Sequence, residues 1–126
     1  MPAYDSESYR PPVPLALVSV RSTSSGTSVD EVPMLLDSGA DVTLLPRSII
    51  SIAIETNVTL SQFELEAFDG TKSFSPVVEL ELRFLGKIFR GQFLIIDAPH
   101  GILGRNILNS LSLVLDGPSL SWNEKK

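Results

Sequence analysis

Two stretches in which apolar and polar residues alternate constrain the fold of this chain more than any other feature. Residues 63–68 (FELEAF) alternate, Asp69-Gly70 supplies a turn of the kind that hairpins favour, and residues 77–84 (VVELELRF) resume the alternation. Because successive side chains of a strand point to opposite faces, the pattern predicts a hairpin with one face in the core.

Short apolar segments bounded by turn residues recur along the rest of the chain. They predict strands over residues 14–20, 29–36, 42–45, 88–96, 111–115 and 119–122. Helix is expected only over residues 47–52, after a proline suited to a first helical turn, and near residues 106–110. Many short strands with little helix predict a closed, all-β domain that ends in a hairpin.

The composition fits one globular domain and excludes several classes of function. The chain has 126 residues, of which 43% are hydrophobic, and a net charge of −5 that argues against a nucleic-acid partner. It contains no cysteine, which excludes disulfides, thiol catalysis and cysteine metal sites. Neither a signal peptide nor an apolar run long enough to span a bilayer is evident, so we expect a soluble, cytoplasmic protein without a membrane partner.

The ends of the chain differ in composition from its middle. Residues 1–12 are polar and close with two prolines, which predicts a flexible N-terminal tail. A single domain is expected over residues 13–122, followed by a polar C-terminal tail over residues 123–126.

The segment Asp37-Ser38-Gly39-Ala40-Asp41 lies between two apolar runs. A carboxylate carried between two strands enters a low-dielectric region, where ionisation is costly. Gly39 lets the backbone turn tightly, and the small Ser38 and Ala40 let another surface approach. The segment suits half of an aspartic-protease site, although an Asx-type turn between two strands would use the same residues.

A second motif favours the protease interpretation. Residues 102–108 (ILGRNIL) follow the apolar run 93–96, and the predicted hairpin lies between the two motifs. In this order and spacing, over roughly residues 13–122, the chain resembles the retroviral-type aspartic proteases (retropepsins) and their retrotransposon and cellular relatives.

The resemblance implies a closed β-barrel of the retropepsin-like acid-protease type, with one short C-terminal helix and a flap hairpin. Because the chain has a single Asp-Ser-Gly, the resemblance also implies a homodimer in which each subunit supplies Asp37 as the catalytic residue. The two carboxylates would share one proton, so that one activates water while the other protonates the peptide carbonyl. No metal or organic cofactor is implied.

Supporting roles around Asp37 follow from the same resemblance. Ser38 and Gly39 would support the active-site loop. Gly39, Ala40 and Asp41 would contact the substrate.

Two further features complete the predicted site. In the resemblance, Asp41 and Arg105 match the positions of two residues that form an ion pair within one subunit. The alternative is a surface ion pair that contributes little to stability. The hairpin tip matches the flap that closes over bound peptide, and its predicted substrate-binding residues are Phe68, Asp69, Gly70 and Thr71.

Other prominent residues are expected to be structural. His100 is the only histidine, which excludes a His-based triad or a multi-His metal site within one chain, and it is expected in a turn. Trp122 is predicted to pack in the last strand or at a dimer contact. Four alternating glutamates predict a solvated sheet face: Glu64, Glu66, Glu79 and Glu81.

The prediction is therefore a homodimeric aspartic endopeptidase that acts on a peptide or protein substrate bound as an added strand. The alternative is a non-catalytic retropepsin-like module for dimerisation or peptide binding, because a fold does not guarantee an activity. The terminal hairpins are expected to build the sheet that joins the two subunits.

Overall fold

The structure is a computed structural model that describes residues 2–23, 25–49, 62–66 and 72–125. The strands in these ranges are β1 (Tyr4–Asp5), β2 (Val13–Arg21), β3 (Ser28–Leu36), β4 (Leu44–Pro46), β5 (Gln62–Glu66), β6 (Lys72–Phe84), β7 (Lys87–Ile96), β8 (Gly101–Leu103), β9 (Leu113–Asp116) and β10 (Ser121–Glu124). The helical elements described are one 3-10 turn, Arg47–Ile49, and one short α-helix, α1 (Arg105–Leu108).

Six strands close into a barrel, which confirms the predicted all-β fold. Around the barrel the order is β2, β3, β8, β4, β7 and β6, and β6 pairs with β2 to complete the ring. The pairs β3–β8 and β4–β7 are parallel, whereas the other described pairs are antiparallel. The parallel β3–β8 pair brings the two sequence motifs side by side, because Asp37 directly follows β3 and the second motif begins within β8.

The core forms where alternating residues of the barrel strands point inward. Ala16, Val18 and Val20 are the inward set of β2, and all three are at most 2% exposed. β6 contributes every second residue from Val78 to Phe84 in the same way, as the alternation predicts. Burial of such side chains stabilises the fold by roughly 1.5–3 kcal/mol for each large apolar residue.

Glu81 departs from the predicted solvated face of the hairpin. It is only 5% exposed, whereas Glu79, two residues away on the same strand, is exposed. The reason is its position in the sheet: Arg90 lies opposite it on β7 and Arg21 opposite it on β2. Arg90 Nε lies 2.8 Å and Arg21 Nη1 4.0 Å from the Glu81 carboxylate, so two cations cover one anion.

The terminal hairpin is present and is joined to the N-terminal segment. β9 and β10 form their own two-stranded sheet, and Ala3 makes an isolated antiparallel bridge with Ser121. β1 lies within the segment predicted as a tail, and it pairs with the start of β2. Trp122 is 1% exposed, and its indole N–H donates to the Leu15 carbonyl at 2.8 Å, which confirms packing in the last strand.

Some element boundaries differ from those predicted. β4 starts at Leu44, two residues later than predicted, although the Thr43 carbonyl still accepts from the Leu94 N–H of β7 at 3.4 Å. The helix after Pro46 is described only as the 3-10 turn, and residues 50–52 lie outside the described residues. β5 and β6 pair antiparallel from Gln62↔Pro76 to Glu66↔Lys72, as the flap hairpin requires.

The flap tip itself falls outside the described residues. Phe68, Asp69, Gly70 and Thr71 all belong to that part of the chain, so their substrate-binding roles stay predictions. Within the described residues, no helix has the length and apolar character needed to cross a membrane.

Candidate active site

The loop that carries Asp37 begins where β3 ends. The backbone N–H of Asp37 donates to the Leu103 carbonyl at 3.1 Å, the last link between β3 and β8. The N–H of Ala40 then donates back to the Asp37 carbonyl at 3.2 Å, which closes a tight turn. Asp37 is therefore presented at the rim of the barrel by two strands that are held in register.

The Asp37 carboxylate has a fixed orientation and access to solvent. Its Oδ1 accepts a hydrogen bond from the Gly39 N–H at 2.9 Å, and the residue is half-buried. A Cβ at position 39 would lie 3.1 Å from the same Oδ1, so a side chain there would press on the carboxylate. The Asx-type turn is therefore present, and the same hydrogen bond that forms it fixes the orientation of the Asp37 carboxylate.

The second motif holds this loop from the other side. The Arg105 guanidinium donates to the Ser38 carbonyl at 2.8 Å, and the Arg105 backbone N–H donates to the Ala40 carbonyl at the same distance. Gly104 lies so close to the backbone of Val42 and Ala40 that no Cβ would fit. Two motifs that are far apart in sequence therefore form one hydrogen-bonded unit.

Thr43 and Asn106 are site residues that the sequence analysis missed as a pair. The Thr43 hydroxyl accepts from the Gly104 N–H at 3.1 Å and donates to the Asn106 side-chain oxygen at 2.7 Å. Thr43 is only 1% exposed and Gly104 is buried, so the bond between them is shielded from water, whereas Asn106 is an exposed residue. The sequence did contain a signal for this pair. Thr43 is the one polar residue in the apolar run 42–45, and a buried hydroxyl requires a hydrogen-bond partner.

The contacts of Arg105 differ from those expected. The predicted ion pair with Asp41 is not among the ion pairs shorter than 4.0 Å in the described part of the chain. Asp41 and Arg105 are both exposed, and the guanidinium is occupied by the Ser38 carbonyl. The Ser38 carbonyl accepts from the same Arg105 guanidinium that the Asp41 carboxylate would need for an ion pair.

The remaining predicted residues of the loop lie together. Ser38 and Gly39 are exposed and Ala40 is half-buried, so this stretch forms a surface beside the Asp37 carboxylate. No group of three or more His, Cys, Asp or Glu side chains suited to a metal occurs among the described residues. One chain therefore presents one aimed carboxylate on an exposed loop.

Comparisons with known proteins identify the family and the fold of the chain. The family model for the retroviral aspartyl protease matches residues 10–116, a range that contains both motifs and all six barrel strands. The chain belongs to the retroviral aspartyl protease family.

Two solved structures share the fold at low sequence identity. One is the EIAV protease in complex with the inhibitor HBY-793, with 21% identity, a TM-score of 0.52, and coverage of 78% of this chain and 86% of that one. The other is the solution structure of the simian foamy virus (mac) protease, with 16% identity, a TM-score of 0.51, and coverage of 75% and 91%.

Proposed function

We propose that this protein is a homodimeric aspartic endopeptidase whose catalytic dyad consists of Asp37 from each of two subunits. The observation that carries the proposal is the Asp37 carboxylate itself. It is half-buried at the end of β3, oriented by the Gly39 N–H at 2.9 Å, and supplied once per chain. A two-fold axis near this loop would bring two such carboxylates together.

The chemistry follows from the proximity of two carboxylates. Two carboxyl groups about 3 Å apart cannot both ionise, so the dyad holds one proton. The ionised member removes a proton from a water molecule that attacks the peptide carbonyl, and the protonated member donates to the carbonyl oxygen. The apparent pKa values of such a dyad belong to the pair and not to either Asp37.

The loop around the dyad would hold it rigid and contact the substrate. Arg105 holds the Ser38 carbonyl, which limits movement of the loop and leaves the Ser38 hydroxyl to brace the partner loop. Gly39, Ala40 and Asp41 would form the cleft floor, on which an extended peptide binds as an added strand. The flap residues would cover the peptide and exclude water.

The terminal hairpin supports a dimer. β9 has β10 as its one strand neighbour in the described part of the chain, and an unpaired strand edge favours association with another strand. Val114, Leu115 and Leu120 are large apolar residues of this hairpin and are 42%, 55% and 41% exposed. Leu120 also has a positive φ of 52°, a conformation that is unfavourable for leucine. A second hairpin would cover this surface.

The decisive experiment compares wild type with Asp37→Asn in cleavage of an unfolded protein mixture over about pH 3.5–7.5, a span chosen around a shared-proton dyad. We expect cleavage by wild type and only background with Asp37→Asn, because asparagine can neither share the proton nor activate water. Asp30→Asn is the matched control, since Asp30 is an exposed carboxylate on the same strand, and it should cleave like wild type.

Two outcomes would contradict the proposal. Equal cleavage by wild type and Asp37→Asn would assign the activity to something other than this dyad. No cleavage by wild type, with the folded dimer verified by sedimentation, would favour the non-catalytic module.

A further inference from the structure

The two strands of the terminal hairpin differ in what lies at their outer edges. β10 has β9 on one side and residues 2–4, which we call the outer segment, on the other. Ala3 bridges Ser121, and the Trp122 N–H donates to the Pro2 carbonyl at 3.1 Å. The outer segment continues into β1, which pairs with β2 of the barrel. A second chain therefore cannot add to β10 without displacing this segment.

The alternation of backbone directions shows what the edge of β9 offers. In an antiparallel pair, opposite residues alternate between those that exchange hydrogen bonds and those whose N–H and C=O point away from the partner strand. Because the Trp122 N–H points to the outer segment, the backbone groups of Leu115, opposite Trp122, point away from β10. The same holds for Leu113. The bond from the Lys125 N–H to the Ser112 carbonyl, at 2.8 Å, fits this alternation.

These backbone groups are unpaired, and apolar side chains accompany them. In the part of the chain that the structure describes, the N–H and C=O of Leu113 and Leu115 have no hydrogen-bond partner. Val114 and Leu115 are 42% and 55% exposed, whereas Leu113 packs against the core. An open strand edge with exposed apolar side chains favours pairing with another strand.

We propose that β9 pairs antiparallel with β9 of a second copy, with Val114 at the two-fold axis. The inference rests on the proposed function in that the single Asp37 of each chain requires a partner. Across the joint sheet the order is outer segment, β10, β9, then β9, β10 and outer segment of the partner subunit. The N-terminal residues of each chain thus stay with their own hairpin, at the far edges of the sheet.

The number of hydrogen bonds selects this register. With Val114 at the axis, Leu113 of each chain lies opposite Leu115 of the other, and every free backbone group of the edge gains a partner. With Leu115 at the axis, Leu113 would face Gly117, which lies in the turn after β9. With Leu113 at the axis, Leu115 would face Leu111, whose N–H already donates to a carbonyl of α1.

The side chains suit the same register. Leu115 comes beside Leu113 of the partner subunit, which lies against that subunit's core, so its exposed apolar surface is covered. Asp116 comes opposite Ser112 of the partner subunit. No two acidic side chains then face each other across the axis, an arrangement that would be destabilising.

Trapping with single cysteines tests the register, because the chain contains no cysteine of its own. Val114→Cys places two thiols on opposite residues whose Cα atoms would lie about 4.5 Å apart, within the reach of a disulfide. Leu115→Cys is the matched control, since in this register its two Cα atoms would be about 8 Å apart, which is too far. Ile88→Cys on β7 reports random collisions, because Ile88 is 50% exposed and lies outside the hairpin.

Each variant is oxidised in an Asp37→Asn background, so that self-cleavage cannot contribute, and the covalent dimer is measured by non-reducing electrophoresis. We expect Val114→Cys to form it at least about tenfold faster than Leu115→Cys or Ile88→Cys, because only the first pair is within disulfide reach.

Two double variants check the strand order independently. Ser112→Cys with Asp116→Cys is a second trap for the same register, since these residues would lie opposite each other across the axis. Ala3→Cys with Ser121→Cys tests the outer segment, and its disulfide should form within one chain, because the two residues bridge there.

Faster trapping by Leu115→Cys than by Val114→Cys, or failure of both traps across the axis, would overturn the register. Sedimentation as a dimer would then leave the proposed dyad standing. A disulfide between chains in the variant at Ala3 and Ser121 would overturn the placement of the outer segment. A trapped Val114→Cys dimer that retains Asp37 but cleaves nothing would support this interface and contradict the proposed protease.

Discussion

At the scale of residues, one buried hydroxyl, that of Thr43, links the two parts of the candidate site, the Asp37 loop and the second motif. Thr43 follows the Asp37 loop, and its side chain bonds both Gly104 and Asn106 of the second motif. The loop and the helix start could otherwise shift relative to each other, since their remaining links are backbone contacts and one arginine. Thr43 therefore holds the Asp37 loop in position relative to the second motif.

Replacing Thr43 with valine should destabilise the protein by about 1–3 kcal/mol, because the buried Gly104 N–H is left without this partner and the bond to Asn106 is lost. Denaturant unfolding measures this change in free energy. Thr43→Ser keeps the hydroxyl and is the control, with a smaller loss expected from the missing methyl group. A Thr43→Val protein as stable as wild type would show that the two hydrogen bonds contribute little to stability.

At the scale of elements, the site depends on how closely β8 and the start of α1 approach the chain beside them. Gly101 lies against Met34, Leu44 and Pro46, and Gly104 lies against the Val42 carbonyl. A Cβ at position 104 would meet rigid backbone, which cannot move aside as a flexible side chain can. Glycine is needed here for close approach and not for a special backbone angle.

We expect Gly104→Ala to cost about 1–3 kcal/mol or more, because overpacking against backbone forces the active-site loop to shift. Thermal or denaturant unfolding would measure the loss. Gly91→Ala on β7 is the control, since nothing lies within 4 Å of the Cβ it would add. A Gly104→Ala protein as stable as Gly91→Ala would refute the close packing beneath the loop.

At the scale of the whole molecule, the proposed dyad would require a second copy of the chain. Leu115 is 55% exposed on the terminal hairpin, and Ile88 is 50% exposed on β7, outside that hairpin. The two residues have similar exposure and size but only Leu115 belongs to the proposed dimer surface. They therefore form a matched pair for a test of association.

Leu115→Glu should weaken the dimer, since it places a charge in an interface expected to be apolar, and specific activity should then fall on dilution. Ile88→Glu should leave both properties near those of wild type. Sedimentation velocity and activity over a range of protein concentrations check the two expectations. A dimer that survives Leu115→Glu would show that the interface does not include this part of the hairpin. A wild type that stays monomeric would contradict the proposed dyad.

Local patterns in the sequence were sufficient for most of the strands and for the position of Asp37, but not for β1 or β8. Period-two alternation specified which residues of β6 from Val78 to Phe84 point inward, because side-chain direction depends on the local backbone alone. The Asp-Ser-Gly segment after an apolar run specified a carboxylate at the end of a strand in a tight turn. The pairing of the two motifs came from resemblance to a family and not from periodicity.

The tertiary structure decided everything that depends on contact between distant segments. The parallel pairing of β3 with β8, the Thr43–Asn106 bond, the partner of Arg105 and the burial of Glu81 each join residues far apart in sequence. No local pattern predicts which distant side chain lies beside Thr43 or Glu81, because those neighbours are brought together by the pairing of strands in the closed barrel. The sequence alone determined that Asp37 ends a strand, and the closed barrel decided what holds it in place.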